Sequence, residues 1–173
     1  MHRGKNSLLL FALCIMLFAL QRLTLLCIGS LKFSWAKVAC EDYTDRLGHA
    51  LKLEIVELPA SKAREPEKQR EEESERIIDA LEKRSGTVWV LDERGKEMSS
   101  EGFAKELQIA KDRGDEAIFV LGGAYGLTDA VRKKGQRLLR LSAMMLPHEL
   151  CRVVFLEQLY RAMEIGKGSG YHH

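Results

Sequence analysis

Three glycines, Gly122, Gly123 and Gly126, follow directly on the apolar run Ala117–Leu121. An apolar run of this length that ends in glycines reads as a strand feeding a loop. Glycine lets backbone N–H groups approach a ligand with no side chain between. A second loop, residues 142–148, follows another short apolar run, and Pro147 within it suits the first position of a helix. Two such loops at the ends of neighbouring strands make a small-molecule crevice in an open α/β sheet. The glycines lack the G-x-G-x-x-G spacing, and the chain has no G-K-[ST]. Taken alone they describe a tight strand-to-helix turn better than a phosphate loop.

Other residues could do chemistry nearby. His148 and Arg152 stand at i and i+4, so one helix face could address a single anionic group such as a phosphate. A histidine at a helix start can equally be a surface or capping group. Glu157 and Arg161 have the same spacing and read as a helix ion pair. Tyr171 and His172 close the chain just before His173, where a frayed end is the ordinary reading. The four cysteines form no C-x-x-C pair and no Cys/His cluster has metal spacing. They read as reduced and buried, with no structural metal.

These residues need elements to hold them. Residues 23–28, the stretch Leu51–Leu58, residues 87–91, Ala117–Leu121 and residues 138–142 read as strands. Ser34 can cap a helix whose inner face carries Trp35, Ala39, Tyr43 and Leu47. Residues 61–76 are the most charged segment. Their first half, with Pro66, reads as mobile loop, and their second half opens a helix that turns Ile77, Ile78 and Leu81 inward. Lys62, Arg64 and Lys68 could form an RNA-contacting arm, but acidic residues prevail from Glu65 onward and favour a solvated face. Ser99 or Ser100 caps a helix that stops near Gly114, and Thr128 begins a short one. Residues 147–164 read as a long helix with two adjoining apolar faces, formed by Leu150, Val153, Val154, Leu156, Leu159, Tyr160 and Met163. That is more apolar surface than one side of a sheet needs, and it predicts a partner subunit. Residues 166–170 read as a flexible hinge. The pattern is βα repeats around a sheet of about five mainly parallel strands.

With 173 residues the chain suits one domain. Lys plus Arg is 27 and Asp plus Glu is 25, so bulk charge alone would not hold a nucleic acid. Residues 1–6 are basic and residues 8–20 are unbroken apolar, like the first two parts of a signal peptide. The run falls short of the roughly 20 residues of a membrane span, and no small-x-small cleavage site follows.

Taken together, the pieces resemble the RlmH family, small bacterial methyltransferases of the SPOUT class that modify large-subunit ribosomal RNA. The resemblance is carried by Leu91-Asp92 with Gly95, by Ser99-Ser100-Glu101-Gly102, by Leu121-Gly122-Gly123 with Gly126-Leu127, and by Leu141-Ser142 with Leu146-Pro147-His148. It continues through Arg152-Val153-Val154, residues 157–162, and Tyr171-His172, and holds in order from about Arg22 to the last residue.

The resemblance implies a SPOUT-type α/β knot, in which the C-terminal chain threads a loop to form a trefoil. It implies S-adenosylmethionine as methyl donor, bound by Leu91, Gly122, Leu141, Ser142, Ala143, Met144, Met145 and Leu146. Family members often have threonine where this chain has Met145, so a backbone contact is expected there and a hydroxyl contact is not. The acceptor implied is N3 of a pseudouridine in 23S rRNA on the assembled ribosome. His172 is the candidate base and Arg152 the stabiliser of developing charge, with Tyr171 and His148 completing the site. Family tails usually add Lys or Arg after the histidine, where this chain has His173. A cytoplasmic homodimer without membrane partner follows from the same resemblance. Residues 1–21 are then an extension from a misassigned start, with Met16 an internal candidate, and residues 22–173 are the methyltransferase domain. Two other classes remain open: a nucleotide-binding regulator without catalysis, and a membrane-anchored protein that uses residues 8–20.

Overall fold

The computed structural model describes residues 21–171. The apolar run at 8–20, Cys14, Met16, His172 and His173 lie outside the described residues. In chain order the elements are β1 (Gln21–Ile28), α1 (Ser34–Gly48), β2 (Leu51–Leu58), α2 (Pro66–Glu82), β3 (Thr87–Glu97), α3 (Ser100–Asp112), β4 (Ala117–Leu121), α4 (Asp129–Lys134), β5 (Arg137–Arg140) and α5 (His148–Lys167). The five strands form one sheet in the order β2-β1-β4-β3-β5, and every pairing is parallel.

Alternation along the strands divides the core. Leu23, Leu25 and Cys27 of β1, Trp89 and Leu91 of β3, and Phe119 and Leu121 of β4 face one layer, built of α1, α3 and α5. Leu26, Ile28, Val90 and Val120 face the other, built of α2 and α4. β4 is buried at all five positions, as a central parallel strand covered on both faces must be. Phe119 meets Phe155 of α5 with ring centroids 4.7 Å apart and Trp89 at 5.7 Å, so the long helix is seated on the middle of the sheet.

Ser99 caps α3 as its type predicts, accepting from the Gly102 N–H at 3.1 Å. Gly114 ends that turn at φ 71°, where a side chain would be strained. Elsewhere the structure corrects the expectations. α1 buries Ala36, Cys40 and Leu47, whereas Trp35 is 51% exposed and stacks on Phe33. Leu47 is buried and Tyr43 packs against the core as read, but in the first turns Ala36 and Cys40 point inward in place of Trp35 and Ala39. α2 begins at Pro66 itself, with proline in the first turn. The residues before it are not slack, since the Ser61 N–H donates to Glu73 Oε1 at 3.0 Å and Ser61 Oγ bonds Glu72 at 2.7 Å. β5 starts one residue earlier than expected, and α5 runs on through Gly166 to Lys167. The expected hinge is therefore partly helix, and Gly168 closes it at φ 67°.

β3 does not stop at Leu91. Leu139 of β5 is opposite both Leu91 and Lys96, so residues 92–95 bulge out of the ladder. A Cβ at Gly95 would come within 2.5 Å of the Leu139 backbone, which makes glycine obligatory where the two chains touch. Among the described residues, no helix is long and apolar enough to cross a membrane.

Candidate active site

In a parallel sheet all strands end on one edge, and the connecting loops gather there. β4, β3 and β5 are neighbours, so Gly122 just past β4, Leu91 on β3 and residues 141–146 after β5 come together on that edge. The cofactor residues read from the sequence thus form one group. The last loop is open: Met144 is 78% and Met145 86% exposed, with the Met144 N–H donating to Ser142 Oγ at 2.9 Å. Two adjacent thioether side chains in solvent beside strand ends are the apolar, deformable surface that an adenosine and a methionine chain could cover. The residues present therefore fit a nucleoside-linked sulfonium donor. At Gly122 the absent side chain serves a neighbour. A Cβ there would meet Leu127, a core residue, at 2.9 Å, which leaves only the backbone of Gly122 for a ligand.

A concavity lies beside this group, at the ends of β2, β1 and β4. It encloses about 400 Å³ and is lined by Gly29, Lys32, Glu57, Glu73, Gly123 and His148 among others. β1 continues into α1 on one face of the sheet and β4 into α4 on the other. Their ends are therefore a point where the winding reverses, the favoured place for a ligand in this architecture. Gly122 belongs to that group and Gly123 to the cavity lining, so the two adjoin at that pair.

The first turns of α5 organise the cavity. Glu149 is 3% exposed and accepts from the Lys32 N–H at 3.1 Å to both oxygens and from the Phe33 N–H at 3.1 Å. This is the carboxylate that fixes the entry to α1. Burial pushes its pKa up, but the two backbone N–H groups and the charges of His148 and Arg152 outweigh it and hold the acid below its usual range. A depressed folded-state value stabilises the fold above the unfolded pKa, and that contribution is lost as pH falls through the folded one. Replacing Glu149 by glutamine is expected to cost about 1–3 kcal/mol at neutral pH, roughly 2–12 °C in Tm. The gap to the parent should shrink towards acid pH in thermal melts.

Arg152 does not share an outward face with His148. It is 3% exposed, with Nη1 on Glu57 Oε1 at 2.5 Å and Nη2 on the Gly29 carbonyl at 2.7 Å. The guanidinium points into the sheet because β1 and β2 offer it a carboxylate and a carbonyl there. It clasps α5 to both strands and holds Glu57 at the cavity wall. Cys27, behind this pair, is pushed up to about 11 by burial, so it is a core thiol and no nucleophile at neutral pH.

Glu57 and Glu73 were not legible as site residues. Glu57 sits on a strand with ordinary alternation, and Glu73 is the last of three consecutive glutamates. Glu73 is 1% exposed, and its Oε2 has no hydrogen-bond partner among the described residues. A buried glutamate in an acidic run leaves no mark in the sequence.

Tyr171 docks far from this edge. Its ring packs edge-on against Tyr160 at 5.1 Å, and the Arg161 guanidinium lies 4.9 Å from its centroid. Arg161 also pairs with Glu157 at 2.6 Å, as their spacing predicts. His148 and Tyr160 are separated by roughly 18 Å of helix axis at about 1.5 Å per residue. In its own chain Tyr171 is therefore distant from the cavity. Among the described residues, no group of three or more His, Cys, Asp or Glu could hold a metal ion.

A family model described as "Predicted SPOUT methyltransferase" matches residues 21–172. The chain belongs to the SPOUT methyltransferase family. Its methyl donor is accordingly S-adenosylmethionine. Two relatives, from Geotalea daltonii and Geobacter sp. (strain M21), are both named "Ribosomal RNA large subunit methyltransferase H". They are 38% and 39% identical over 88% of this chain and cover 100% and 99% of their own lengths, which places it in the RlmH branch of that family. Among solved structures, the SpoU methyltransferase AviRb from Streptomyces viridochromogenes, in complex with AdoMet, is similar with a TM-score of 0.46 and 16% identity. That match spans 88% of this chain and 62% of the other.

Proposed function

We propose that this methyltransferase acts on 23S rRNA in the assembled ribosome, transferring a methyl group to N3 of a pseudouridine, as a cytoplasmic homodimer. The observation that carries the reading is the convergence of Leu91, Gly122 and residues 141–146 on one sheet edge, beside a cavity of about 400 Å³. That volume suits a flipped-out nucleotide rather than a helix or a strand. The names of the relatives point to the same RNA.

S-adenosylmethionine supplies an electrophilic methyl group when bound. The chain's part is to hold the donor, admit the acceptor and manage a proton. Backbone groups at Leu91, Gly122, Leu141, Ser142 and Leu146, with the exposed side chains of Ala143, Met144 and Met145, hold the donor. The acceptor N3–H has a high pKa, so a base must take its proton as the bond to carbon forms. His172 is that base, brought in by Tyr171. His148, on the cavity wall, faces the incoming RNA. Arg152 acts through Glu57 as a positioning residue. The trefoil threading belongs to the same reading; it is supported by the close passage of β5 at Gly95 and by the chain's change of face between β5 and α5.

The net charge of +2 gives little hold on free RNA, so the ribosome's shape and phosphates supply the affinity. With radiolabelled donor, ribosomes lacking the modification should accept about one methyl per particle, recovered as an N3-methylated pseudouridine nucleoside. No incorporation, or label on another nucleoside, rejects the assignment.

The dimer is supported by α5, where Leu150, Val153, Val154, Tyr160 and Met163 are only half-buried in a single chain. Residues 1–21 are read as an extension outside the domain, a boundary one residue beyond the start of β1 and of the family match at residue 21. A chain truncated to begin at Arg22 should keep its Tm within about 2 °C and its full methyl transfer rate. A large drop in thermal melts would make the extension part of the core.

A further inference from the structure

Taking the proposed function as its basis, we infer that the cavity between β1, β2 and β4 is the acceptor-base pocket, and that Glu73 selects pseudouridine over uridine by accepting its N1–H. Two carboxylates line the cavity, and an ionised carboxylate can only accept hydrogen bonds. Glu57 is held there by the buried Arg152. Glu73 is buried, with one oxygen committed: Oε1 accepts from the Ser61 N–H at 3.0 Å and from Gln69 Nε2 at 3.2 Å. Oε2 is shielded from water and unpartnered.

A buried carboxylate oxygen without a donor is costly, and in a native site it points to an absent partner. The backbone over it is shaped to match. A Cβ on Gly123 would collide with Oε2, so glycine is what lets the loop lie directly against this oxygen in the cavity wall.

The missing partner is therefore a donor on something that enters beside the methyl group. A uracil ring joined to ribose through nitrogen offers one ring N–H. The same ring joined through carbon offers two, on either side of one carbonyl. A pocket that accepts at its wall recognises the additional N–H while the other ring nitrogen receives the methyl group. A site built to bond an N–H discriminates strongly against an analogue that lacks it, because its own polar group is left unpaired.

Glu73→Gln tests this with the shape preserved. The amide oxygen keeps the Ser61 and Gln69 donors, and the amide NH2 takes the place of Oε2, which turns an acceptor into a donor. On ribosomes with pseudouridine at the target, kcat/KM should fall about 10- to 100-fold. On ribosomes with uridine there the loss should be at least about tenfold smaller, and calorimetry should give an unaltered Kd for S-adenosylmethionine. Equal losses on both substrates, or no loss on either, overturn the assignment. So does weakened cofactor binding, which would give the oxygen to the donor's ammonium group instead. A wild-type protein that methylates neither ribosome refutes the functional reading itself; an active wild type with an unchanged pseudouridine-to-uridine ratio in the variant refutes only the pocket.

If the variant does not fold, the wild-type protein decides. Saturated with S-adenosylhomocysteine and titrated to millimolar nucleotide, its Gly29, Ser30 and Gly123 amide signals should shift with pseudouridine monophosphate and not with uridine monophosphate. Equal shifts, or none, overturn the proposal.

Discussion

Mixing a chain that lacks residues 171–173 with a chain carrying Gly122→Val is expected to restore methyl transfer that neither performs alone. In one chain Tyr171 is seated on Tyr160 and Arg161, far along α5 from the sheet edge that holds the cofactor residues. Tyr171 in that place cannot reach its own chain's cavity without leaving the helix. It can serve a partner's if the half-buried flank of α5 is the two-fold contact. Removing the tail alone should leave cofactor binding and dimer formation intact and slow transfer by about 100- to 10,000-fold, the loss expected for a general base. In the mixed dimer the tail-deleted chain contributes an intact cofactor group, and the Gly122→Val chain contributes an intact tail, so one whole site exists. With random exchange about half the dimers are mixed, which gives roughly a quarter of wild-type activity in a ribosome assay. An inactive mixture, with mixed dimers demonstrated by mass spectrometry, would sink the shared-site arrangement.

Gly122→Val by itself is expected to lower S-adenosylmethionine affinity by at least about 100-fold and also to lower stability. Any Cβ at this position meets Leu127 Cγ and Cδ2 at 2.9 Å and the Gly126 carbonyl carbon at 3.2 Å. Leu127 is 2% exposed and belongs to the core layer with α2 and α4, so it has little space to yield. The valine must push the turn over residues 123–126 outward, and that turn joins the cofactor group to the cavity. Overpacking of this kind costs about 1–3 kcal/mol, or roughly 2–12 °C in Tm for a chain of this size. Calorimetry on the folded variant separates the two effects. A lowered Tm with unchanged cofactor affinity would remove Gly122 from the site and leave it as a packing glycine.

The features legible in the sequence were those decided by neighbours along the chain. Short apolar runs marked β1, β3, β4 and β5 and alternation marked β2; β2 and β4 kept the bounds read for them, and the other three moved at one or both ends. Ser99 and Gly114 marked the two ends of α3 through local hydrogen bonding and a positive φ. That Leu91, Gly122 and residues 141–146 would lie on one edge was also readable, because loops at the ends of adjacent parallel strands must gather there. Glu157 and Arg161 needed only helical spacing to find each other.

Tertiary structure decided everything that depends on contacts across long stretches of chain. The entry to α1 is held by Glu149, more than a hundred residues away, which accepts from the Lys32 and Phe33 N–H groups. Arg152 looked free on its helix, yet it turns inward to Glu57 and Gly29, separated from it by 95 and 123 residues. Three glutamates in a row at 71–73 look alike in sequence, and only packing beneath Gly123 singles out Glu73. The acceptor-like cavity is assembled wholly from such contacts. Periodicity and capping report the energy of a residue with neighbours three or four positions away, whereas a buried charge is settled by whichever distant group arrives to desolvate and pair it.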